Sequence, residues 1–324
     1  MIDGYGRTID YIRISVTDRC NLRCTYCMPE KGTLSVPHEE ILSYEEIINL
    51  AGIFASLGIH KIRLTGGEPL VRKNLSFLVS KLKQVSGIHQ VTLTTNGIFL
   101  YDQMDELVSA GIDGINISLD TLNPQLFEKI TRRNGLEDVL QGFYKALEYP
   151  QIPLKINCVP MGIEDQNITD MAMLAKAYPV HVRFIEMMPI GLGKQFVGQS
   201  EEAVLRELKL RFGEYQNSEK VPGNGPGHYY QFEGFCGKIG FISAVSHKFC
   251  DSCNRIRLTS GGFLKPCLQY ETGTDLKKLL RQNESEACIR AAIEDTIRKK
   301  PHGHQFGKKQ DGNTENRMMW QIGG

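Results

Sequence analysis

Residues 44–69 read YEEIINLAGIFASLGIHKIRLTGGEP and contain a helical pattern followed by a strand pattern. Apolar residues recur at helical spacing through Tyr44–Leu57, and a glycine follows as a stop signal. Ser43, with Glu46 three residues later, predicts a capping box at the start of this helix. The β-branched run Lys61–Leu64 predicts a strand, and small residues follow it. This stretch therefore predicts a helix packed beside a strand, which is the repeating unit of an α/β fold.

The same alternation continues from residue 10 to about residue 210. The predicted strands are Tyr11–Val16, Lys61–Leu64, Val91–Thr94, Gly114–Leu119, Leu154–Val159 and His181–Ile185. The predicted helices are Tyr44–Leu57, Leu75–Val85, Met104–Ala110, Leu136–Leu147 and Met171–Tyr178. Such alternation favours a parallel sheet with right-handed crossovers, and six strands rather than eight predict an incomplete barrel or an open α/β sheet. In parallel sheets of this kind the chemistry collects at the carboxyl ends of the strands, where we expect the motifs below to lie.

The pattern changes after residue 215, so we predict a barrel domain over residues 1–215 and a small α+β C-terminal subdomain over residues 216–324, packed against the sheet. Asn217–Tyr230 is rich in Gly, Pro and Asn, which is typical of a linker or a long loop. Short strands near Lys238–Ile242, Arg255–Leu258 and Gly262–Pro266 and helices over Asp275–Arg281 and Ser285–Lys299 follow. Residues 299–324 have no periodicity, and we expect them to be mobile unless they dock.

Composition restricts the class of protein. The 324 residues are 41% hydrophobic and 23% charged, as is usual for globular chains that bury a core. Lys plus Arg total 38 and Asp plus Glu 37, so there is no charge excess of the kind that nucleic-acid binding requires. The chain has no apolar run long enough for a bilayer and no signal-peptide core. We therefore expect a cytoplasmic protein with neither a nucleic acid nor a membrane as partner.

A first cysteine triad, Cys20, Cys24 and Cys27, follows the first predicted strand with the spacing C-x3-C-x2-C. Three thiolates on one short loop can each bind one iron of a cubane cluster. No fourth Cys or His lies nearby in the sequence, so the fourth iron would stay open to a ligand. The alternatives are a chance grouping of buried thiols and an incomplete zinc site. The open position favours a redox-active iron–sulfur cluster in a catalytic site.

A second triad, Cys250, Cys253 and Cys267, has the spacing C-x2-C-x13-C and is again one ligand short. His247 could complete a tetrahedral zinc site. The alternative is a second cluster whose open iron is available to a substrate. The remaining cysteines are expected to be buried small hydrophobic residues, and they are Cys158, Cys236 and Cys288.

Six motifs, taken in order, resemble those of one family across essentially the whole chain. They are RISVTDRCNLRCTYCMPE (13–30), IRLTGGEPLVR (62–72), LTTNG (93–97), NISLD (116–120), FIEMMPIG (184–191) and FCDSCNRIRLTSGGFLKPCL (249–268), followed by a terminal pair of glycines. The cysteine spacing with Tyr26 inside it resembles the radical S-adenosylmethionine (SAM) superfamily, and the full set resembles its GTP 3′,8-cyclase family, which acts in molybdenum cofactor biosynthesis. The match is loosest at residues 158–166 and 260–262.

The resemblance implies that the fold is an incomplete (β/α)6 TIM-type barrel of the radical SAM type. It also implies a lyase with two [4Fe-4S] clusters, held by the two triads, and with SAM on the open iron of the first. The implied SAM contacts are Tyr26, Gly67, Ser118 and Met188. The implied GTP contacts are Arg13, Arg63, Thr94, Lys155, Arg255, Ile256 and Arg257. The implied catalytic residues are Arg13, Gly323 and Gly324, the last two in a tail that reaches into the active site.

The implied reaction joins C3′ of the GTP ribose to C8 of the guanine and releases 5′-deoxyadenosine and methionine. The implied partners are GTP, a reductant such as flavodoxin or ferredoxin, a second copy in a homodimer, and the pathway enzyme cyclic pyranopterin monophosphate synthase. A radical SAM enzyme that modifies peptides and an iron–sulfur electron-transfer or sensor protein are the competing interpretations. Peptide-modifying enzymes usually carry more cysteines in their C-terminal extension than the three present here.

Overall fold

The computed structural model describes residues 1–32, 36–218, 225–306 and 315–323. The strands are β1 Tyr11–Ser15, β2 Lys61–Thr65, β3 Gln90–Thr95, β4 Ile115–Ser118, β5 Leu154–Cys158, β6 His181–Ile185, β7 Tyr215–Ser218, β8 His228–Phe232, β9 Ile239–Ile242, β10 Arg255–Leu258, β11 Phe263–Lys265 and β12 Thr274–Asp275. The helices are α1 Tyr44–Ser56, α2 Leu75–Gln84, α3 Leu100–Ser109, α4 Pro124–Thr131, α5 Leu136–Leu147, α6 Ile168–Ala177, α7 Glu201–Phe212, α8 Leu276–Arg281 and α9 Glu286–Arg298.

All described strands belong to one sheet, in the order β12-β11-β10-β1-β2-β3-β4-β5-β6-β9-β8-β7. The six predicted strands, β1 to β6, are parallel neighbours in chain order, and each crossover contains at least one helix. Among the described residues, no ladder joins the two ends of the sheet. The prediction of an incomplete TIM-type barrel is therefore confirmed.

The strands after residue 215 extend the same sheet at both of its edges. β10 adds to β1 in parallel, and β9 adds to β6 in parallel. The outer strands β11, β12, β8 and β7 continue the two edges in antiparallel pairs. The two predicted domains thus share one sheet, and their boundary stays a prediction.

Helix α1 illustrates how local sequence builds these units. The Ser43 hydroxyl accepts a hydrogen bond from the Glu46 amide (3.1 Å), and the Glu46 carboxylate accepts one from the Ser43 amide (2.7 Å). This is the predicted capping box, which satisfies amides that the first turn leaves without partners. One face of the helix buries Ile47, Leu50 and Phe54 against the sheet.

The prediction of a loop over Asn217–Tyr230 is wrong at both ends. β7 runs to Ser218 and β8 starts at His228, and the two strands pair in antiparallel register. The residues between them include 219–224, which lie outside the described residues. The Gly- and Pro-rich centre dominated the sequence pattern, although such a composition is equally that of a hairpin connection.

Two helices, α4 and α7, were not predicted. Each has a side-chain cap, since Asn123 accepts from the Leu126 amide (3.0 Å) and Ser200 from the Ala203 amide (3.3 Å). The Asn–Pro start of α4 was therefore a readable signal. Across the described ranges, no helix combines the length and apolar character that crossing a bilayer requires.

The prediction for the lone cysteines is confirmed once and wrong twice. Cys158 is fully buried, whereas Cys236 and Cys288 are exposed.

Candidate active site

The first triad lies at the carboxyl ends of the parallel strands, as predicted. The cysteine loop follows β1, Gly67 follows β2, Ser118 ends β4 and Met188 follows β6. Ser118 is exposed at the end of a strand whose other residues are buried, so its hydroxyl is accessible to a ligand. The structure therefore brings the residues predicted to contact the cofactor to one end of the sheet.

The second triad lies at the opposite, amino end of the strands, where the prediction did not place it. Arg255 is in register with Tyr11 at the start of β1, and Cys253 precedes it by two residues. β11 runs antiparallel to β10, so Cys267, two residues after Lys265, returns to the same level. The reason is that β10 enters the sheet parallel to β1, which leaves the loop before it at the amino edge. The two triads consequently face each other along the strands.

Burial dominates the chemistry of the first triad. It raises the pKa of Cys20 to about 11 and of Cys27 to about 12, and it raises the pKa of Cys24 well above its ordinary value. Each of these thiols is also disfavoured as a thiolate by a second negative group close by, which is Glu68 for Cys20 and Cys27 for Cys24. Three thiolates can coexist in this pocket only with compensating positive charge, which is what metal coordination supplies. The donor set therefore fits an iron–sulfur cluster.

The second triad has a different environment. Burial raises the pKa of Cys250, whereas the pKa of Cys253 falls to about 7, because Lys300 and Arg255 outweigh the effect of its burial. His247 does not turn towards these thiols, since its ring nitrogens lie 3.7 Å from Glu201 and 3.6 Å from Glu202. The zinc alternative thus loses its fourth ligand. Within the described ranges, no three His, Cys, Asp or Glu side chains converge closely enough for one metal ion to bind them all.

The glycine-rich turn after β2 is shaped by the cysteine loop. A Cβ on Gly67 would lie 2.3 Å from the Arg19 carbonyl oxygen, and the Gly67 amide donates to the Thr17 carbonyl (2.7 Å). The close approach that glycine permits here is therefore between two backbone segments. Glu68, which follows, is buried and accepts from Thr95 Oγ1 (2.7 Å) and the Asn96 amide (2.6 Å). Burial raises the pKa of Glu68 to about 7 even though these bonds lower it.

Asp120 holds Tyr26, the aromatic residue of the cysteine loop, in place. The sequence analysis did not identify this role of Asp120. The Tyr26 hydroxyl donates to Asp120 Oδ2 (2.7 Å), and the Val159 amide donates to Oδ1 (2.8 Å). Burial raises the pKa of Asp120 to about 6. Tyr26 is thereby held by its side chain, which leaves its backbone groups at a defined position for a ligand.

A set of cations occupies the interior between the two triads. Arg13 on β1 is in register with Arg63 on β2 and with Arg257 on β10. Lys155 on β5 and Arg183 on β6 face the same interior, since both are close enough to Arg63 for the charges to interact. Thr94 Oγ1 accepts from Arg63 (3.4 Å) and from Asn116 (3.3 Å). We call this set, which is completed by Arg255, the cationic chamber.

The chamber holds several buried positive charges close to one another. Burial and then Arg257 hold the pKa of Arg13 well below its ordinary value. Burial, Arg183 and Arg63 lower the pKa of Lys155 to about 7, and burial with Arg255 lowers that of Arg257 to about 10. The Nε donors of Arg13, Arg63 and Arg183 are buried without an acceptor among the described residues. Such an arrangement fits an anion with several oxygens.

The side chain of Ile256 points to the opposite face of β10 from those of Arg255 and Arg257, and it is buried in the core with 1% of its surface exposed. Only the backbone of Ile256 is therefore available to a ligand. Arg183 was missed by the sequence analysis, although an arginine within an otherwise apolar strand was a usable signal.

The C-terminal tail, residues 315–323, docks across the open side of the barrel. Trp320 and Ile322 are buried, and Ile322 belongs to an apolar cluster with Met188 and Ile190, which follow β6, and with Leu268, which follows β11. The Trp320 amide donates to the Cys27 thiol. The condition attached to the predicted mobility, that the tail would be ordered if it docked, is thus met for residues 315–323.

Gly323 ends the described part of the tail inside the chamber. Its carbonyl accepts from Thr65 Oγ1 (3.2 Å) and from Arg257 Nη1 (3.2 Å). Its φ of +83° is a conformation that glycine adopts at little cost, and a Cβ would lie 3.1 Å from that of Ser15. Gly324, which was predicted to be catalytic, lies outside the described residues.

Comparison with protein families covers most of the chain. Residues 14–177 match the family model described as the Radical SAM superfamily, and residues 180–306 match Molybdenum Cofactor Synthesis C. The chain is 46% identical to a GTP 3′,8-cyclase of Desulforamulus reducens and 44% identical to one of Heliobacterium modesticaldum. Each alignment spans 100% of both chains.

Solved structures with similar folds share little sequence with this chain. Streptococcus suis SuiB bound to S-adenosylmethionine superposes with a TM-score of 0.60 at 13% identity, covering 89% of this chain and 68% of that chain. SuiB bound to its precursor peptide SuiA gives a TM-score of 0.56 at 13% identity, covering 90% and 67%. At this identity the likeness concerns the fold alone, and it does not distinguish between a nucleotide and a peptide as substrate.

Proposed function

The chain belongs to the radical SAM superfamily and, within it, to the GTP 3′,8-cyclase family, and from this premise we propose the function of its site. The chain is a lyase that converts GTP to (8S)-3′,8-cyclo-7,8-dihydroguanosine 5′-triphosphate and releases 5′-deoxyadenosine and L-methionine. This is the first step of molybdenum cofactor biosynthesis. Its cofactors are two [4Fe-4S] clusters and SAM.

The observation that carries this proposal is the cationic chamber between the two triads. A GTP triphosphate brings about four negative charges, and guanidinium groups bind phosphate oxygens through paired hydrogen bonds. Arg13 lies at the centre of the chamber, in register with Arg63 and Arg257, and the buried Nε donors of Arg13 and Arg63 are ready to meet such oxygens. We assign these three residues, with Thr94, Lys155 and the Arg255–Arg257 segment, to GTP binding.

The orientation of GTP follows from where the two triads lie. The triphosphate neutralises the chamber, and the purine points towards the amino end, where Cys250, Cys253 and Cys267 lie. The ribose is then directed towards the first triad, at the other end of the strands. A sheet rise of about 3.3 Å per residue over one strand length is enough to place one nucleotide between the two ends.

At the carboxyl end we assign Tyr26, Gly67, Ser118 and Met188 to SAM. The cluster held by Cys20, Cys24 and Cys27 supplies, when bound, the electron that releases the 5′-deoxyadenosyl radical from SAM. The chain's own residues hold the two substrates in register. Tyr26 is fixed through Asp120, Gly67 through the cysteine loop, and Ser118 presents its hydroxyl at the open strand end.

We assign Arg13, Gly323 and Gly324 a role in the cyclisation step. Arg13 is the central cation of the chamber and orients the ribose through the triphosphate. The tail excludes water, since Trp320 and Ile322 cover the side of the barrel that the strands leave open. Exclusion of water protects a radical from side reactions and strengthens each charge interaction inside.

The proposal is tested by anaerobic incubation of the reconstituted enzyme with SAM, dithionite and GTP deuterated at C3′. We expect one deuterium per turnover to appear in 5′-deoxyadenosine. A protein with both clusters loaded that cleaves SAM without taking deuterium from GTP would contradict the cyclase assignment. Deuterium-free cleavage that depends on an added peptide would support a peptide-modifying enzyme instead.

We also propose a cytoplasmic location, because six thiols that must stay reduced to bind iron suit a reducing compartment. A homodimer, flavodoxin or ferredoxin as the reductant, and coupling to cyclic pyranopterin monophosphate synthase remain predictions from the family. Sedimentation of the reconstituted protein tests the dimer, and activity with each reduced carrier tests the donor.

A further inference from the structure

A buried ion pair anchors the start of the C-terminal tail. The Lys265 ammonium and the Glu315 carboxylate are in direct contact, and neither side chain has any exposed surface. Lys265 also donates to the Tyr270 carbonyl. Glu315 also accepts from Arg317, at Nε (2.8 Å), Nη2 (3.0 Å) and the amide (2.9 Å). The carboxylate is thus surrounded by donors, as a buried charge must be.

The pair joins two segments that are far apart in sequence and adjacent to the site. Lys265 ends β11 in register with Arg257 of the cationic chamber, and Cys267 follows two residues later. Glu315 begins the tail, and its amide donates to the Gln269 carbonyl (2.6 Å). The tail then ends with the Gly323 carbonyl on Arg257. The tail therefore contacts both Lys265 and Arg257, which are paired residues of the adjacent strands β11 and β10.

Within residues 315–323, Glu315 and Arg317 are the charged residues, and they bond to each other. The guanidinium of Arg317 lies over the Phe263 ring, 5.2 Å from its centroid, on the same strand as Lys265. The other contacts of the tail with the rest of the protein are hydrogen bonds made by its backbone, at both ends, and apolar packing of its side chains. Since a buried charge cannot lose one partner cheaply, the Lys265–Glu315 contact is the point at which the tail is held in place.

We propose that Lys265, Glu315 and Arg317 form an ionic latch that keeps the tail seated across the open side of the barrel. Lys265 and Glu315 are then positioning residues, which act on the chamber through Gly323 and Arg257 without touching the substrate. The seating of the tail follows from the contacts alone, and its consequence for turnover rests on the proposed cyclase function.

The chain provides its own reporter, because Trp320 is its one tryptophan and is 6% exposed. In the full-length apoprotein, Glu315→Gln should raise the acrylamide quenching constant of Trp320 fluorescence about threefold or more. The matched control is Glu271→Gln, which removes an exposed carboxylate that also contacts the tail, at the Asn316 amide (3.2 Å). The control should quench like the wild type. Equal quenching in Glu315→Gln and wild type, at unchanged thermal unfolding midpoints, would overturn the latch.

A second measurement, on the holoenzyme, distinguishes a positioning role of Glu315 in turnover from a purely structural role. Glu315→Gln should lower kcat for GTP cyclisation at least tenfold while the KM for SAM stays within about twofold, and Glu315→Asp should recover part of the loss. If Glu315→Gln is insoluble, Arg317→Ala removes the second partner of Glu315 and should expose Trp320 to a smaller extent. Failure of the wild type to cyclise GTP would count against the proposed function and leave the fluorescence result standing. Wild-type turnover by the latch variants would count against the latch alone.

Discussion

The first cysteine triad lies near carboxylates, whereas the second lies near cations. Burial is the main cause of the raised pKa of Cys20, and Glu68 raises this pKa further. Asp120 likewise adds to the raised pKa of Cys24. At the other end of the strands, Lys300 and Arg255 lower the pKa of Cys253 despite its burial. Negative surroundings disfavour an added electron and make a cluster a stronger reductant, while positive surroundings favour an electron-rich ligand. Two triads with the same donors are therefore set for different tasks.

The largest effect is expected from removing one ligand at either end. Cys24→Ala and Cys253→Ala should each lose about half of the bound iron, because each destroys one of two cubane clusters. SAM cleavage should stop in Cys24→Ala and persist in Cys253→Ala, while GTP cyclisation stops in both. Iron analysis and chromatography of 5′-deoxyadenosine check this. Cys236→Ala, which changes an exposed lone cysteine, is the control, and identical losses of SAM cleavage in both variants would abolish the distinction.

The next effect concerns the chamber between the triads. Arg13→Ala should weaken GTP binding about 30-fold, which is the value of a charge-assisted hydrogen bond of ~2 kcal/mol. The ligand-free protein should unfold at an unchanged or higher temperature, since one of several buried like charges is gone. Calorimetric titration and thermal melts measure both, with the exposed Arg298→Ala as control. A lower melting temperature with unchanged GTP affinity would make Arg13 a structural residue.

A smaller effect is expected from pH, through Lys155. Its pKa of about 7 in the free protein comes from burial first and then from Arg183 and Arg63. A bound triphosphate favours the charged ammonium, so GTP binding takes up a proton whenever the pH is above about 7. GTP affinity should therefore fall as pH rises from 7 to 8, by at most about tenfold for one proton. Lys155→Arg should flatten this dependence, because a guanidinium stays charged, and an unchanged slope in that variant would point to another group.

The smallest effect is expected from removing a cation beside the second triad, which tests whether the two triads have different electrostatic environments. Lys300 is buried and donates to the carbonyls of Arg255 (2.8 Å) and Pro266 (2.6 Å), beside the second triad. Lys300→Met should lower the midpoint potential of the second cluster by about 60 mV, the equivalent of ~1.4 kcal/mol for one electron. The potential of the first cluster should not move. Redox titration followed by electron paramagnetic resonance measures both, and the adjacent exposed Lys299→Met is the control. Equal shifts in the two clusters would refute the separation of environments.

Local patterns were sufficient to predict the strands β1 to β6 and to place the residues that follow them at the carboxyl end of the sheet. Each strand is a short β-branched run bounded by turn residues, and Ser43 with Glu46 marks a helix start within four residues. The cysteine spacings and the motifs around them are equally local. These features depend on neighbours in sequence, so the sequence alone contains them.

Helix α4 and Arg183 were missed although each had a local signal, whereas the other missed features depend on distant pairings. The positions of β9 and β10 at opposite edges of the sheet are set by contacts with β6 and β1, and no local pattern reports them. The placement of the second triad at the amino end follows from that topology. Asp120 meets Tyr26 only when β4 is folded beside its neighbours. The contact of Lys265 with Glu315 spans 50 residues and has no periodicity to reveal it.

The open side of the barrel is closed by the last residues of the chain, and this has a consequence for biosynthesis. On the ribosome, β1 to β6 emerge while both edges of their sheet still lack β9 and β10. Unpaired edges of this kind are prone to association, so chaperones that shield strand edges should matter for yield. The tail can dock only after the strands that it contacts have been synthesised and folded. Iron insertion therefore has a time window, between the synthesis of Cys267 and the docking of Trp320, in which the interior is still accessible.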